Sequence, residues 1–256
     1  MKYIRERVLS GEPMFGTWCN LGSHITAEMA GLSGVDWVLL DLEHGSGDYD
    51  ALVHQLQAIE GTPAAPIVRI AWNEPYRFKR VLDLGASGIM VPWVNSASEA
   101  KMVAESMRYP PQGTRGVAKT IRATKFGAEF DDYFAGANDG LLTVTQIERV
   151  EGVKNAEEIA AIDGVDVLFI GPMDLTTGMG IQGQFDHPDF REALATVVKA
   201  CRKHGKSAGY LLSNRDELEE RLSEGFTFIA NGADGGMVAS GMRENGAFLA
   251  EYKNRG

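Results

Sequence analysis

The chain has 256 residues, 44 % of them hydrophobic, which is enough for one sizeable core and suits a single α/β barrel. Its formal net charge of −10 argues against nucleic acid or an anionic membrane surface as a partner. Cys19 and Cys201 form no CxxC pair, so the sequence offers no cysteine zinc site or redox motif and fits a reducing cytoplasm; neither a secretory leader nor a run of about 18 apolar residues stands out.

Short apolar runs alternate with amphipathic segments. Residues 15–21 read as a first strand, and Ser23 caps a helix that Gly34 ends. Residues 37–42 read as the second strand, opening with an apolar run from Trp37 to Leu40 as expected of a strand buried on both faces. That run ends in Asp41, Glu43 and His44, and titratable groups at the tip of a buried strand are costly unless paired or used. Asp48 caps the next helix. Residues 66–70 are the third strand, with Arg69 at its end, and Pro75 opens a helix that Gly85 closes. Residues 88–94 are the fourth strand, followed by a helix over 97–107 capped by Ser96 or Ser98. Residues 109–116, rich in proline and glycine, interrupt the alternation, and the chain to about Asn138 reads as a long excursion with short helical pieces.

Residues 141–147 are the fifth strand, with Gln146 and Glu148 at its end, and Asn155 caps a helix to Ile162. Residues 165–170 are the sixth strand, ending in Gly171-Pro172-Met173-Asp174-Leu175. A long helix over 188–204 precedes a strand at 207–212, Asn214 caps a helix over 215–223, and a strand at 226–230 leads to a last helix over 237–252. Eight strands and eight helices in alternation predict an α/β fold, a single (β/α)8 TIM barrel spanning 1–256. An open doubly wound sheet is the weaker reading, because no GxGxxG follows the first strand.

Barrel chemistry lies at the C-terminal ends of the strands. Those positions hold Asp41, Glu43, His44, Arg69, Gln146, Glu148, Asp174 and Asp234. Glu148 and Asp174, from neighbouring strands, suit a hard octahedral cation such as Mg²⁺ or Mn²⁺; their plain alternative is helix capping or pairing with an arginine. His44 is the only strand-end histidine, and Asp41, three residues earlier, is placed to orient its ring. Arg69 is a candidate for stabilising charge that develops on an oxygen, or for a salt bridge to Glu43 or Asp41. The turn over 171–174 can present N–H groups to a substrate carboxylate. No lysine occupies a strand end, which argues against Schiff-base chemistry. Gly232-Ala233-Asp234-Gly235-Gly236 offers an alternative of another class, a phosphosugar-binding barrel.

Several stretches, taken in order, resemble the HpcH/HpaI family of class II pyruvate aldolases, within the phosphoenolpyruvate/pyruvate barrel superfamily. They are Gly16-Thr17-Trp18, the run from Asp36 to Gly45, Pro66-Ile67-Val68-Arg69, the run from Tyr109 to Gly116, Gln146-Ile147-Glu148, and the run from Phe169 to Leu175. The resemblance implies a divalent-metal-dependent aldolase that cleaves or forms 4-hydroxy-2-oxo acids, giving pyruvate and an aldehyde through a pyruvate enolate. It makes Glu148 and Asp174 ligands of Mg²⁺ or Mn²⁺, with Co²⁺ a further option and no organic cofactor. It makes His44 the base with Asp41 as partner, and sets Arg69 on the keto or enolate oxygen. Gln146 lies beside the metal, and the backbone around Gly171, Pro172, Met173 and Asp174 holds the pyruvyl carboxylate. Asp83 matches an acidic position that reaches a neighbouring active site. Met173 stands where many members carry alanine, which narrows the pocket, and Glu43 supports Arg69 or a metal-bound water. Decarboxylation of oxaloacetate-like acids is the alternative reaction on the same site. The resemblance also implies a homo-oligomer, a hexamer built as a trimer of dimers with the last helix exchanged between subunits.

Overall fold

The apolar run that ends in Asp41 becomes strand Trp37–Asp41, buried at every residue. It is β2 of a closed parallel barrel in the computed structural model, which describes residues 2–253. The other strands are β1 Met14–Cys19, β3 Ala65–Arg69, β4 Gly88–Val91, β5 Leu142–Ile147, β6 Val167–Ile170, β7 Ser207–Leu212 and β8 Phe226–Ala233, paired in chain order with β8 closing on β1. The order and parallel sense follow from the helical crossovers between consecutive strands. Among the described residues no helix is long and apolar enough to cross a membrane.

Two layers of apolar side chains hold the barrel. Inside it, Trp37 stacks on Phe228 at 4.1 Å between centroids, with Trp18 and Phe169 packed edgewise or tilted around them. A plug of aromatic rings needs small neighbours, and Gly16 supplies one: a Cβ there would lie 2.2 Å from the Trp37 ring. Outside it, residues such as Val38, Leu40, Val68, Ile89 and Leu168 pack against the helix layer. The continuous apolar strands are thus buried on both faces.

Local chemistry sets the helix starts. Ser23, Asp48 and Ser96 accept hydrogen bonds from the first-turn amides of the helices they precede. Asn155 instead donates its side-chain amide to the Asn95 carbonyl at 2.7 Å; the helix expected from there to Ile162 is Ala156–Ala160, and a further short helix, Val150–Lys154, precedes it. The excursion after residue 109 is more ordered than its composition suggests, with a helix at Phe130–Gly140. Buried Arg115 holds it down, lying over the Tyr109 ring at 4.4 Å and donating to Asp83 at 2.8 Å. The last strand runs three residues beyond the expected end at 230, and the final helix spans Asp234–Lys253 with only Asp234 buried. That helix leaves the barrel instead of packing along it.

Candidate active site

Residues at the strand tips converge on a cavity of about 380 Å³ at the C-terminal mouth, lined among others by Trp18, Asp41, His44, Arg69, Gln146, Glu148, Met173 and Asp174. A larger apolar groove of about 560 Å³ lies on the outer flank beside the helix His24–Leu32 and the start of the last helix, away from this cluster of charge.

On the β2–β3 side, Asp41 and Arg69 are register partners on adjacent strands. Their side chains form a two-pronged pair, Arg69 Nε donating to Asp41 Oδ1 at 2.9 Å and Nη2 to Oδ2 at 2.6 Å. Arg69 Nη1 lies 3.1 Å from Glu43 Oε2. Burial alone would push the Asp41 carboxyl up; the Arg69 bonds and charge, with amides from Glu43 and His44, outweigh it and hold the group below the usual range. A guanidinium has five N–H donors; two are donated to Asp41 here, and Glu43 Oε2 stays buried without a hydrogen-bond partner, so three N–H groups remain. The Trp18 ring, 5.6 Å away, walls the guanidinium on another side.

The expected Asp41–His44 dyad takes a different form. Asp41 Oδ1 accepts from the backbone amides of Glu43 at 3.0 Å and His44 at 3.3 Å, so it fixes the turn instead of the imidazole. The charged group nearest the ring is Glu43, with Oε1 3.8 Å from Nε2, and the His44 side chain is 71 % exposed. In a turn this tight, an aspartate finds two amides closer than a ring three residues on. Burial raises the pKa of Glu43, against the opposing charges of Arg69 and His44.

The β5–β6 side is unlike this. Glu148 is 2 % exposed, and its oxygens accept only from neutral donors, the Trp93 amide at 2.8 Å and Gln146 Nε2 at 3.0 Å. Burial, with repulsion from Glu43 and Asp174, pushes its carboxyl up to about 7 despite the Trp93 bond. Gln146 Oε1 is buried without a partner. Gly171 allows the next strand end to close over this group: a Cβ there would sit 2.6 Å from Glu148 Oε2. Gly171 caps a short helix, Pro172–Gly178, whose first residues include Met173 and Asp174, both exposed and both lining the cavity. Amides at a helix start have no partner within the helix, which leaves them free for an anion.

Among the described residues no group of three or more His, Cys, Asp or Glu side chains gathers as a metal cluster. The protein offers two carboxylates, Glu148 and Asp174, beside an orphaned amide oxygen. A hard cation that takes its remaining ligands from water and substrate fits that donor set, and it answers the buried charge on Glu148.

Two expected residues lie elsewhere or do other work. Asp83 does not line the cavity; it belongs to the helix Pro75–Leu84, paired with Arg115. Asp234 is buried, accepting from the amides of Asn20 at 2.8 Å and Gly235 at 2.8 Å and from the Thr26 hydroxyl at 2.6 Å. A built-in carboxylate thus uses and neutralises the N–H groups that a phosphate would need, which overturns the phosphosugar alternative. Sequence reasoning missed Trp93, a bulky residue at φ 59° whose amide holds Glu148. Such a conformation costs about 1–3 kcal/mol in a non-glycine residue, and only its place after a strand-end Pro92 hinted at a turn.

A closed barrel with paired and unpaired charge gathered at its C-terminal mouth is an enzyme scaffold for a small, oxygen-rich substrate. The sequence profile of the HpcH/HpaI aldolase/citrate lyase family matches residues 14–241. The 5-keto-4-deoxy-D-glucarate aldolase of Klebsiella pneumoniae subsp. pneumoniae is 41 % identical over 225 residues, covering 88 % of each chain. The enzyme of the same name from Escherichia coli K12 is 40 % identical over 225 residues, again 88 % of each chain. A family protein from Burkholderia cenocepacia J2315 of known structure superposes with a TM-score of 0.91 at 33 % identity, covering 96 % of this chain and 98 % of its own. The chain belongs to the HpcH/HpaI aldolase/citrate lyase family, and it is an aldolase, a carbon–carbon lyase.

Proposed function

We propose that this aldolase cleaves, and in reverse forms, 4-hydroxy-2-oxo diacids of the sugar-acid type, releasing pyruvate. The substrate that names the relatives, 5-keto-4-deoxy-D-glucarate, is such a compound when numbered from its keto end. The observation that carries the reading is the contrast at the mouth: an arginine already held in place by Asp41, and a buried carboxylate, Glu148, that forms no ion pair among the described residues.

His44 takes the proton of the 4-hydroxyl, directly or through water. The C3–C4 bond then breaks, the aldehyde forms, and the electron pair moves onto the 2-oxo oxygen as the pyruvate enolate. Uncommitted N–H groups of Arg69 stabilise that oxygen, and Asp41 keeps the guanidinium aimed at it. The amides that open the helix Pro172–Gly178 hold the pyruvyl carboxylate, and Gln146 orients Glu148. Glu148 and Asp174 hold Mg²⁺, Mn²⁺ or Co²⁺, which supplies Lewis acidity to the 2-oxo group. Return of a proton to C3 completes pyruvate. The test is pyruvate release across a panel of 4-hydroxy-2-oxo acids, with each metal and with chelator. Full activity after exhaustive metal removal would sink the reading.

Assembly belongs to the same proposal. The last helix exposes Met237, Val238, Met242, Phe248 and Leu249, while the apolar groove beside it stays open. Exchange of this helix between two copies covers both surfaces, and Asp83 then acts at a neighbour's mouth within a hexamer. Light scattering of the purified protein checks the state. The two buried free thiols suit a cytoplasmic enzyme.

A further inference from the structure

Trp93 follows β4 in the left-handed region, at φ 59°. A tryptophan persists there only if its surroundings insist on it. Two successive amides explain what the conformation achieves. The Trp93 N–H donates to Glu148 Oε1 at 2.8 Å, and the Val94 N–H donates to the Gln146 carbonyl at 3.2 Å. In an extended strand successive N–H groups point to opposite sides; here both point at the end of β5, as in the concave nests that backbone amides form through a left-handed residue.

Other contacts hold the turn in that shape. The Arg149 guanidinium lies over the Trp93 ring, 3.9 Å from its centroid, and Trp72 tilts against the same ring at 6.1 Å. The Trp93 carbonyl accepts from Asn95 Nδ2 at 2.9 Å. Glu148 Oε2 is engaged by Gln146, so each carboxylate oxygen has one neutral donor and its remaining lone pairs are directed elsewhere.

We infer that Arg149 and Trp93 form a clamp for the metal-holding carboxylate, the cation–π stack stabilising the left-handed Trp93 so that its amide aims Glu148 at the cation. The inference rests on Glu148 being a metal ligand, as proposed above. Trp93 and Arg149 are positioning residues in it; neither touches substrate.

The sign of the Arg149 effect separates this clamp from simple electrostatics. Removing a positive charge beside a cation site should tighten metal binding, whereas losing the clamp should weaken it. The experiment is titration of metal-stripped, full-length protein with Mn²⁺, followed by calorimetry or by the electron paramagnetic resonance of free Mn²⁺. Arg149→Ala and Arg149→Met should each raise the Mn²⁺ Kd by roughly five-fold, the scale of a partly desolvated cation–π contact. Trp93→Gly keeps the amide and adopts the left-handed region freely, so its Kd should stay within about two-fold of the parent. Adding Arg149→Ala to Trp93→Gly should then change nothing further. Trp93→Val, which resists that region, should weaken binding at least as much as Arg149→Ala. Unchanged or tighter binding in Arg149→Ala overturns the clamp, as does an equal loss in the Trp93→Gly background. If the valine variant does not fold, the arginine and glycine pair still decides. Undiminished Mn²⁺ binding by Glu148→Gln would instead refute Glu148 as a ligand, which is a separate failure.

Discussion

The two sides of the barrel mouth solve the problem of buried charge in opposite ways. At the β2–β3 side, Asp41, Glu43 and Arg69 meet one another, and both oxygens of Asp41 accept from Arg69. At the β5–β6 side, Glu148 is equally buried yet among the described residues accepts hydrogen bonds only from amides, and burial with the charges of Glu43 and Asp174 raises its pKa against the Trp93 bond and the charge of Arg69. The first side is complete as folded. The second leaves its carboxylate without an ion-pair partner among the described residues. A site of this kind is rigid where it must stabilise developing charge and incomplete where it must take up a cofactor.

The largest expected effect comes from the incomplete side. Glu148→Gln should lower kcat/KM by at least about 10³-fold and abolish Mn²⁺ binding, since the buried carboxylate of the proposed metal site loses its charge. Chelation of the parent protein should do the same, reversibly. Protons compete for the same group: with its pKa pushed up to about 7, Mn²⁺ affinity should fall about ten-fold per pH unit below that value. Stability runs the other way in metal-free protein. The folded group binds its proton more tightly than the unfolded one, whose pKa is near 4.5, so this residue's contribution falls as pH rises from about 4.5 to about 7, by up to about 3 kcal/mol. Urea melts at pH 5 and pH 8 should show that slope in the parent and lose it in Glu148→Gln. A metal-free parent with no more slope than the variant would remove the buried, uncompensated charge from the account.

His44 should affect rate alone. It lines the cavity with its side chain largely exposed, so His44→Ala should cost about 10²-fold or more in kcat while stability changes by no more than about 0.5 kcal/mol. Steady-state kinetics beside a urea melt tests both halves. A large loss of stability would mean that the imidazole is structural.

Asp41 should show the reverse emphasis. Asp41→Ala leaves Arg69 buried with only Glu43 as a counter-charge, and removing one partner of such a pair costs about 3 kcal/mol. Urea denaturation measures it; a cost below about 1 kcal/mol would mean that Glu43 alone satisfies the guanidinium. Arg69 also loses its aim, so kcat should fall with KM little changed.

How far the sequence anticipates this mouth depends on how local the cause is. The buried run at residues 37–42, the caps Ser23 and Asp48, and the absence of lysine from strand ends are local facts, and each was readable. Strand alternation then carries Asp41, Arg69, Gln146, Glu148 and Asp174 to one cavity. The partners were harder. The salt bridges of Arg69 to Asp41 and Glu43 were among the readings, but that Asp41 serves Arg69 and not His44 depends on the register of β2 against β3, 28 residues apart. The tie between Asp83 and Arg115 spans 32 residues and crosses the proline-rich segment. Trp93 departs from its residue type's ordinary backbone preference, which no periodicity reveals. The helix at Phe130–Gly140 contains two glycines and an asparagine, so packing of its aromatic residues, not propensity, decides it.

The smallest expected effect is one of specificity. Met173 is 52 % exposed and lines the cavity beside Asp174, at the edge of the incomplete side. In the proposed reading its thioether narrows the pocket near the growing end of the substrate. Met173→Ala should therefore leave pyruvate binding and stability nearly unchanged and raise kcat/KM for longer acceptor aldehydes relative to short ones by about ten-fold, the scale of a few methylenes in an apolar pocket. Comparing the parent and the variant across aldehydes of increasing length, in the condensation direction with pyruvate, tests this directly. A uniform change at every length would place Met173 in the pyruvyl end of the site, where the amides of Gly171–Asp174 would then depend on its side chain for their position.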